Sequence, residues 1–163
     1  ESGYACSNPG VLPWTNVTWA EARDACLALG TGWQLCEEDD WQLACEGVSS
    51  CDWSYASACT SSSPLLCNGL ESGLMSTVDI DVTASSSHTS CYTRYAAGTA
   101  NRIYDLSGNV KEWTNTERGS SDVHAIRGGS YNNVEDGRTC EFDFTVGDEN
   151  FAFTNTGFRC CWY

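Results

Sequence analysis

Between Asp105 and Glu112 the chain reads Asp-Leu-Ser-Gly-Asn-Val-Lys-Glu, and four of these residues can bring oxygen to one point. Alternate carbonyls of an extended loop point the same way, so Gly108 and Val110 can offer two backbone oxygens together. Asp105 and Glu112 add a hard carboxylate from each end, and Gly108 lets the backbone approach an ion closely. Calcium takes about six to eight oxygens, some from water, and suits such a set. An Asx-type turn from Asp105 to Gly108, followed by a strand, accounts for the same residues with no ion.

The second chemical signal is eleven cysteines against one methionine. No C-x-x-C pair occurs, and His88 and His124 stand apart from any metal-ligand spacing, so disulfides outrank zinc. That density fits an oxidising compartment, and an extracytoplasmic protein, secreted or on a cell surface, is expected. Because the count is odd, at least one cysteine is free or joined to another chain. Two scattered histidines among many serines make no convincing Ser-His-Asp set. Asn16-Val17-Thr18 matches the glycosylation triplet, although Thr18 also reads as a helix cap.

A formal charge of −14, from 22 acids against eight bases, argues against nucleic acid and anionic membranes as partners. No apolar run reaches the length of a membrane span. The 163 residues, 41% hydrophobic with seven tryptophans, make one folded domain, taken as 1–163.

The elements that must position these residues are partly legible. Thr18-Trp19-Ala20-Glu21 has the capping-box spacing, Trp19, Ala22, Cys26 and Leu29 recur at helical spacing, and Gly30 supplies a stop. A second helix is expected through 37–45, with acids crowding its first turn and Gly47 after its end. From Gly47 to about Asn101, serine clusters interrupt short apolar pieces, which reads as long loops stapled by Cys51, Cys59, Cys67 and Cys91. Strands are expected at 124–127, 139–144 and 158–162, where Glu141 to Phe144 alternates with period two. Two helices, long loops and late strands imply an α+β domain.

Tyr104 to Thr114, Arg127-Gly128-Gly129-Ser130-Tyr131 and Gly157-Phe158-Arg159-Cys160, in this order, resemble the C-terminal half of the formylglycine-generating enzymes, the sulfatase-modifying factors. Val17 to Ala22 with Cys26 is similar to that family's first helix. Trp33 to Trp41 is similar to its RLPTEAEWE segment, with Cys36 in place of the proline. The resemblance covers roughly 11–47 and 101–161, and it implies the family's variant of the C-type-lectin fold. By the same resemblance Asp105, Gly108, Val110 and Glu112 stand where the family ligates calcium. Asn68, Asp79 and Asp81 are possible members of a second site. It also implies the disulfides Cys26–Cys160 and Cys45–Cys140. Cys161 is left as a partner for Cys36 or Cys6.

The family's chemistry does not carry over. Its enzymes hold copper(I) on a cysteine pair shortly after the Gly-Gly-Ser-aromatic block, whereas here 132–139 contain no thiol. The expected function is therefore a non-catalytic, lectin-like module, braced by disulfides and calcium, for adhesion or for surface or filament assembly. Its partner would be a protein, a glycan or copies of itself. The competing expectation is an oxidoreductase of the formylglycine-generating type with a displaced active site, which needs two free thiols near Ser130 and Tyr131. Arg127 and Arg159 are expected to make buried hydrogen bonds or ion pairs.

Overall fold

Thr18 starts the first helix as its side chain dictates. In the computed structural model, which describes residues 8–74, 81–94, 102–119, 122–146, 148 and 150–163, the Thr18 hydroxyl accepts from Glu21 N, and the Glu21 carboxylate accepts from Thr18 N at 2.9 Å. This box satisfies two of the amides that a helix start leaves open. Helix α1 runs Trp19–Leu27 and buries Ala22 and Cys26; Ala28 caps it, two residues before the Gly30 stop. Strand β1 is Trp33–Leu35 and helix α2 is Glu38–Glu46. Gly47, at φ 58°, closes α2 and opens a 3-10 turn over Gly47–Ser49.

The middle of the chain is mostly irregular. It holds a five-residue helix α3, Leu70–Leu74, and strand β2, Tyr92–Arg94, which pairs antiparallel with β3, Arg102–Tyr104. Beyond it, β4 (Lys111–Glu117), β5 (His124–Arg127), β6 (Asp143–Val146) and β7 (Thr156–Phe158) form a four-stranded sheet in the order β6-β5-β4-β7. Strand β8, Cys160–Trp162, leaves that sheet and pairs antiparallel with β1. The mixed α+β architecture is thus as expected, with a third helix added.

Two strand expectations need correction. Residues 139–142 are not strand: Glu135–Arg138 form a 3-10 turn, and only Asp143–Val146 join the sheet. The Arg127 guanidinium takes the carbonyls of Cys140 (2.8 Å) and Glu141 (3.2 Å), so those oxygens go to a side chain instead of a ladder. The expected strand at 158–162 is two strands of two sheets, broken at Arg159, whose side chain turns inward.

Three apolar clusters result. One joins Val17, Ala22, Cys26, Leu35, Trp113 and Ile126 between α1 and the large sheet. A second joins Cys36, Trp41, Cys45, Leu106 and Cys140 under α2. A third, Tyr55 with Cys67 and Cys91, sits beneath the loops. Five disulfides tie them: Cys26–Cys160, Cys36–Cys161, Cys45–Cys140, Cys51–Cys59 and Cys67–Cys91. The eleventh cysteine, Cys6, lies outside the described residues.

Candidate functional site

Asp105 to Glu112 runs from the end of β3 into the first two residues of β4, and its backbone is shaped by three residues of positive φ. Asp105 (φ 64°) and Asn109 (φ 68°) are of the types that tolerate this region best after glycine. Gly108 (φ 147°) has no alternative, because a Cβ there would collide with the backbone oxygen of Asn68. The Asn109 side chain locks the loop: its Oδ1 accepts from Asn68 Nδ2 at 3.0 Å and Thr83 N at 2.9 Å, and its Nδ2 donates to Thr83 O.

The two carboxylates have different fates. Glu112, 4% exposed, accepts three hydrogen bonds: Arg159 Nη2 to Oε1 at 2.7 Å, and Arg159 Nε and Trp41 Nε1 to Oε2 at 2.9 and 2.7 Å. This pair pins the last strand to the block and to α2. Asp105 accepts at Oδ2 from Ser85 Oγ and Ser86 N, both at 2.9 Å, and among the described residues no donor meets Oδ1. Burial is the main cause that raises the Asp105 carboxyl above the ordinary range; the Ser85 and Ser86 bonds and Arg159 oppose this, and the Glu112 charge adds to it.

Among the described residues, no group of three or more His, Cys, Asp or Glu side chains is placed to hold a metal ion. The expected set needs only two carboxylates, and its donors can be tested one by one. The carbonyls of Gly108 and Val110 accept no protein hydrogen bond among the described residues. Asp105 Oδ1 is open, and Glu112 Oε1, with one hydrogen bond, keeps a lone pair. A cavity of about 200 Å³ opens over Asp105, Val110 and Glu112, walled by Trp14 and Phe158. Of the four expected donors, Asp105, Val110 and Glu112 line this cavity and Gly108 does not, and Arg159 already neutralises one of the two acids. Of the second set, Asn68 and Asp81 meet through Asn68 Nδ2 donating to Asp81 O at 3.0 Å, and Asp79 lies outside the described residues.

The segment after Ser130 is built from amides. Ser130 Oγ lies within hydrogen-bond distance of Asn132 Oδ1 (2.8 Å) and Asn133 Oδ1 (2.7 Å), between which its single proton is shared, and Asn155 Nδ2 donates to Asn132 Oδ1 at 3.0 Å. Glu135 then turns away toward the loops. Its Oε1 accepts from Tyr55 OH (2.5 Å) and Ser63 N (2.6 Å), and Oε2 from Ser62 Oγ. Nothing in the sequence ties residue 135 to residues 55–63, so this carboxylate latch is visible only in the structure.

A search with family profiles matches residues 2–163 to the sulfatase-modifying factor enzyme 1-like domain. The chain belongs to this family. No curated protein sequence matches it. Among solved structures, Treponema denticola variable protein 1 superposes with a TM-score of 0.67 at 16% identity, over 99% of this chain and 75% of that one. PvdO from Pseudomonas aeruginosa gives 0.72 at 12% identity, over 95% of this chain and 63% of its own length. CarF gives 0.68 at 18%, over 98% and 74%. At such identities the likeness extends to the fold alone, the C-type-lectin-like fold of this family.

Proposed function

We propose that this family member is a non-catalytic, extracytoplasmic binding module, stiffened by disulfides and by calcium. The cysteine accounting carries the reading. Ten of the eleven cysteines are consumed by five disulfides. One cysteine cannot supply the pair of thiolates that a copper(I) site of the formylglycine-generating type requires. The place after Gly129-Ser130-Tyr131 holds asparagines engaged with Ser130, which have no redox chemistry.

Several disulfides fit an oxidising compartment, and among the described residues no helix is long and apolar enough to cross a membrane. Bound calcium would supply positive charge and fixed coordination at Asp105 Oδ1, Glu112 and the carbonyls of Gly108 and Val110. The chain's own contribution is to orient those oxygens, through the Asn109 lock and the Arg159 fork. The partner in this reading is a protein, a glycan or another copy of the chain, held for adhesion or surface assembly.

The test counts thiols in unfolded, unreduced protein with a maleimide probe, then supplies copper, oxygen and a cysteine-containing sulfatase peptide. Zero or one thiol and no conversion of the peptide cysteine is the expected result. Two thiols, or turnover above a no-protein control, would return the chain to the oxidoreductases.

A further inference from the structure

The turn after α2 and the loop 56–60 face each other across a cleft of about 390 Å³. That is inside the span of about 300–1,000 Å³ typical of ligand clefts. Tyr55, Tyr92 and Thr93 are buried at its floor, and Val48, Ser49, Ser57 and Thr60 are exposed at its rim. The Cys51–Cys59 disulfide ties one lip to the other. The opening is therefore set before a ligand arrives, which removes part of the ordering cost of binding.

Its chemistry is unlike the rest of the surface. The chain carries 22 acids and eight bases, yet none of the residues lining this cleft is charged. The hydroxyls of Ser49, Ser57 and Thr60 make no hydrogen bond within the protein among the described residues. Nor do the backbone N–H groups of Ser57, Ala58, Cys59 and Thr60, which run through the left-handed turn at Ala58 (φ 54°). The rim thus offers many donors around two tyrosine rings. Its ligand should be rich in oxygen acceptors, and the net charge of −14 disfavours an anion.

We infer that this cleft is a binding site for a neutral saccharide, with the lip 57–60 and Ser49 donating to its hydroxyl, ether or acyl oxygens. The assignment rests on the reading of the chain as a binding module and names the class of ligand for it. It is separate from the cavity beside Trp14.

The experiment presents fluorescently labelled whole protein to an array of immobilised neutral, sialylated and sulfated glycans, with affinities then measured by titration calorimetry against the best neutral glycan. Ser57→Trp fills the cleft from its exposed rim, and Trp14→Ala alters the other cavity. The expected result is binding of at least one neutral glycan, weakened tenfold or more by Ser57→Trp and unchanged by Trp14→Ala, at equal melting temperatures. No neutral glycan bound, binding confined to sulfated or sialylated glycans, or loss with Trp14→Ala while Ser57→Trp binds normally would each overturn the site. Should Ser57→Trp fail to fold, Thr60→Trp and Ser49→Trp are read in the same way. Failure here with no peptide turnover removes the saccharide site and leaves the module reading standing. Turnover removes the module reading whatever the array reports.

Discussion

Glu112→Gln is the most informative single change, because it removes one charge and almost no volume from a buried ion pair that joins β4 to Arg159 and α2. Glu112 and Arg159 are 4% and 7% exposed, and the fork of two guanidinium bonds is completed by Trp41 from α2. A glutamine can keep one or two of the three bonds, but it leaves the Arg159 cation buried without its counter-charge. Breaking a buried pair in this way costs about 3–5 kcal/mol. At this chain length each kcal/mol moves the melting midpoint by about 2–4 °C, so a drop of roughly 6–20 °C is expected. The assay is thermal unfolding in chelator, with the disulfides intact, so that no cation contributes. Arg23→Ala is the control, since the Arg23–Asp24 pair is 40% and 65% exposed and such pairs contribute about 0–1 kcal/mol. A Glu112→Gln midpoint within about 2 °C of the parent, no larger than an exposed pair would give, would refute the reasoning.

Asp105→Asn tests calcium and pH together. Burial holds the folded Asp105 carboxyl above its unfolded value, so the group opposes folding once pH rises through that range. In chelator the variant should therefore equal or exceed the parent in midpoint at pH 7, with the advantage vanishing in acid. In calcium the parent should gain, by about 2.7 kcal/mol at a hundredfold excess over Kd, and the variant should gain far less; identical parent midpoints with and without calcium would remove the ion. Serine pairs replacing Cys26–Cys160 and Cys51–Cys59 should cost nearly the same in urea unfolding. With Cys36–Cys161 intact, the first bond closes a loop of roughly 12 residues despite its separation of 134, against eight for the second, so the chain-entropy description gives about 3 and 2.5 kcal/mol, and a gap beyond about 2 kcal/mol would contradict it. Tyr55→Phe removes one bond of the Glu135 latch while Ser63 N remains, and a loss of about 1–2 kcal/mol in the same titration is expected.

What could be read from the sequence was what depends on neighbours in sequence. The capping box at Thr18, the acid-rich start of α2 and the strand at His124–Arg127 follow from local spacing, and the structure holds all three. The break at Arg159 and the loss of strand at 139–142 could not be read, because both depend on where an arginine side chain goes after distant elements have packed. The site behaved similarly. Gly108 declares itself by type, whereas the commitment of Glu112 to Arg159 and Trp41 spans separations of 47 and 71 residues. The bonds Cys26–Cys160 and Cys45–Cys140 were implied by resemblance to the family and are present, while Cys51–Cys59 and Cys67–Cys91 came only with the structure.

The bond between Cys26 and Cys160 has a mechanical consequence. A pull applied upstream of Cys26 and at Tyr163 crosses from α1 to β8 through sulfur, and residues 27–159 are bypassed. Within residues 1–163, the load-bearing path is the 25 residues before Cys26 and the three after Cys160, roughly 90–100 Å at full extension. The neighbouring Cys36–Cys161 bond takes over part of the same strand. Drawn taut, the chain from 27 to 159 stays behind the sulfur bridge, and any lengthening must come from unwinding α1 and drawing Val17 and Ala22 out of the core.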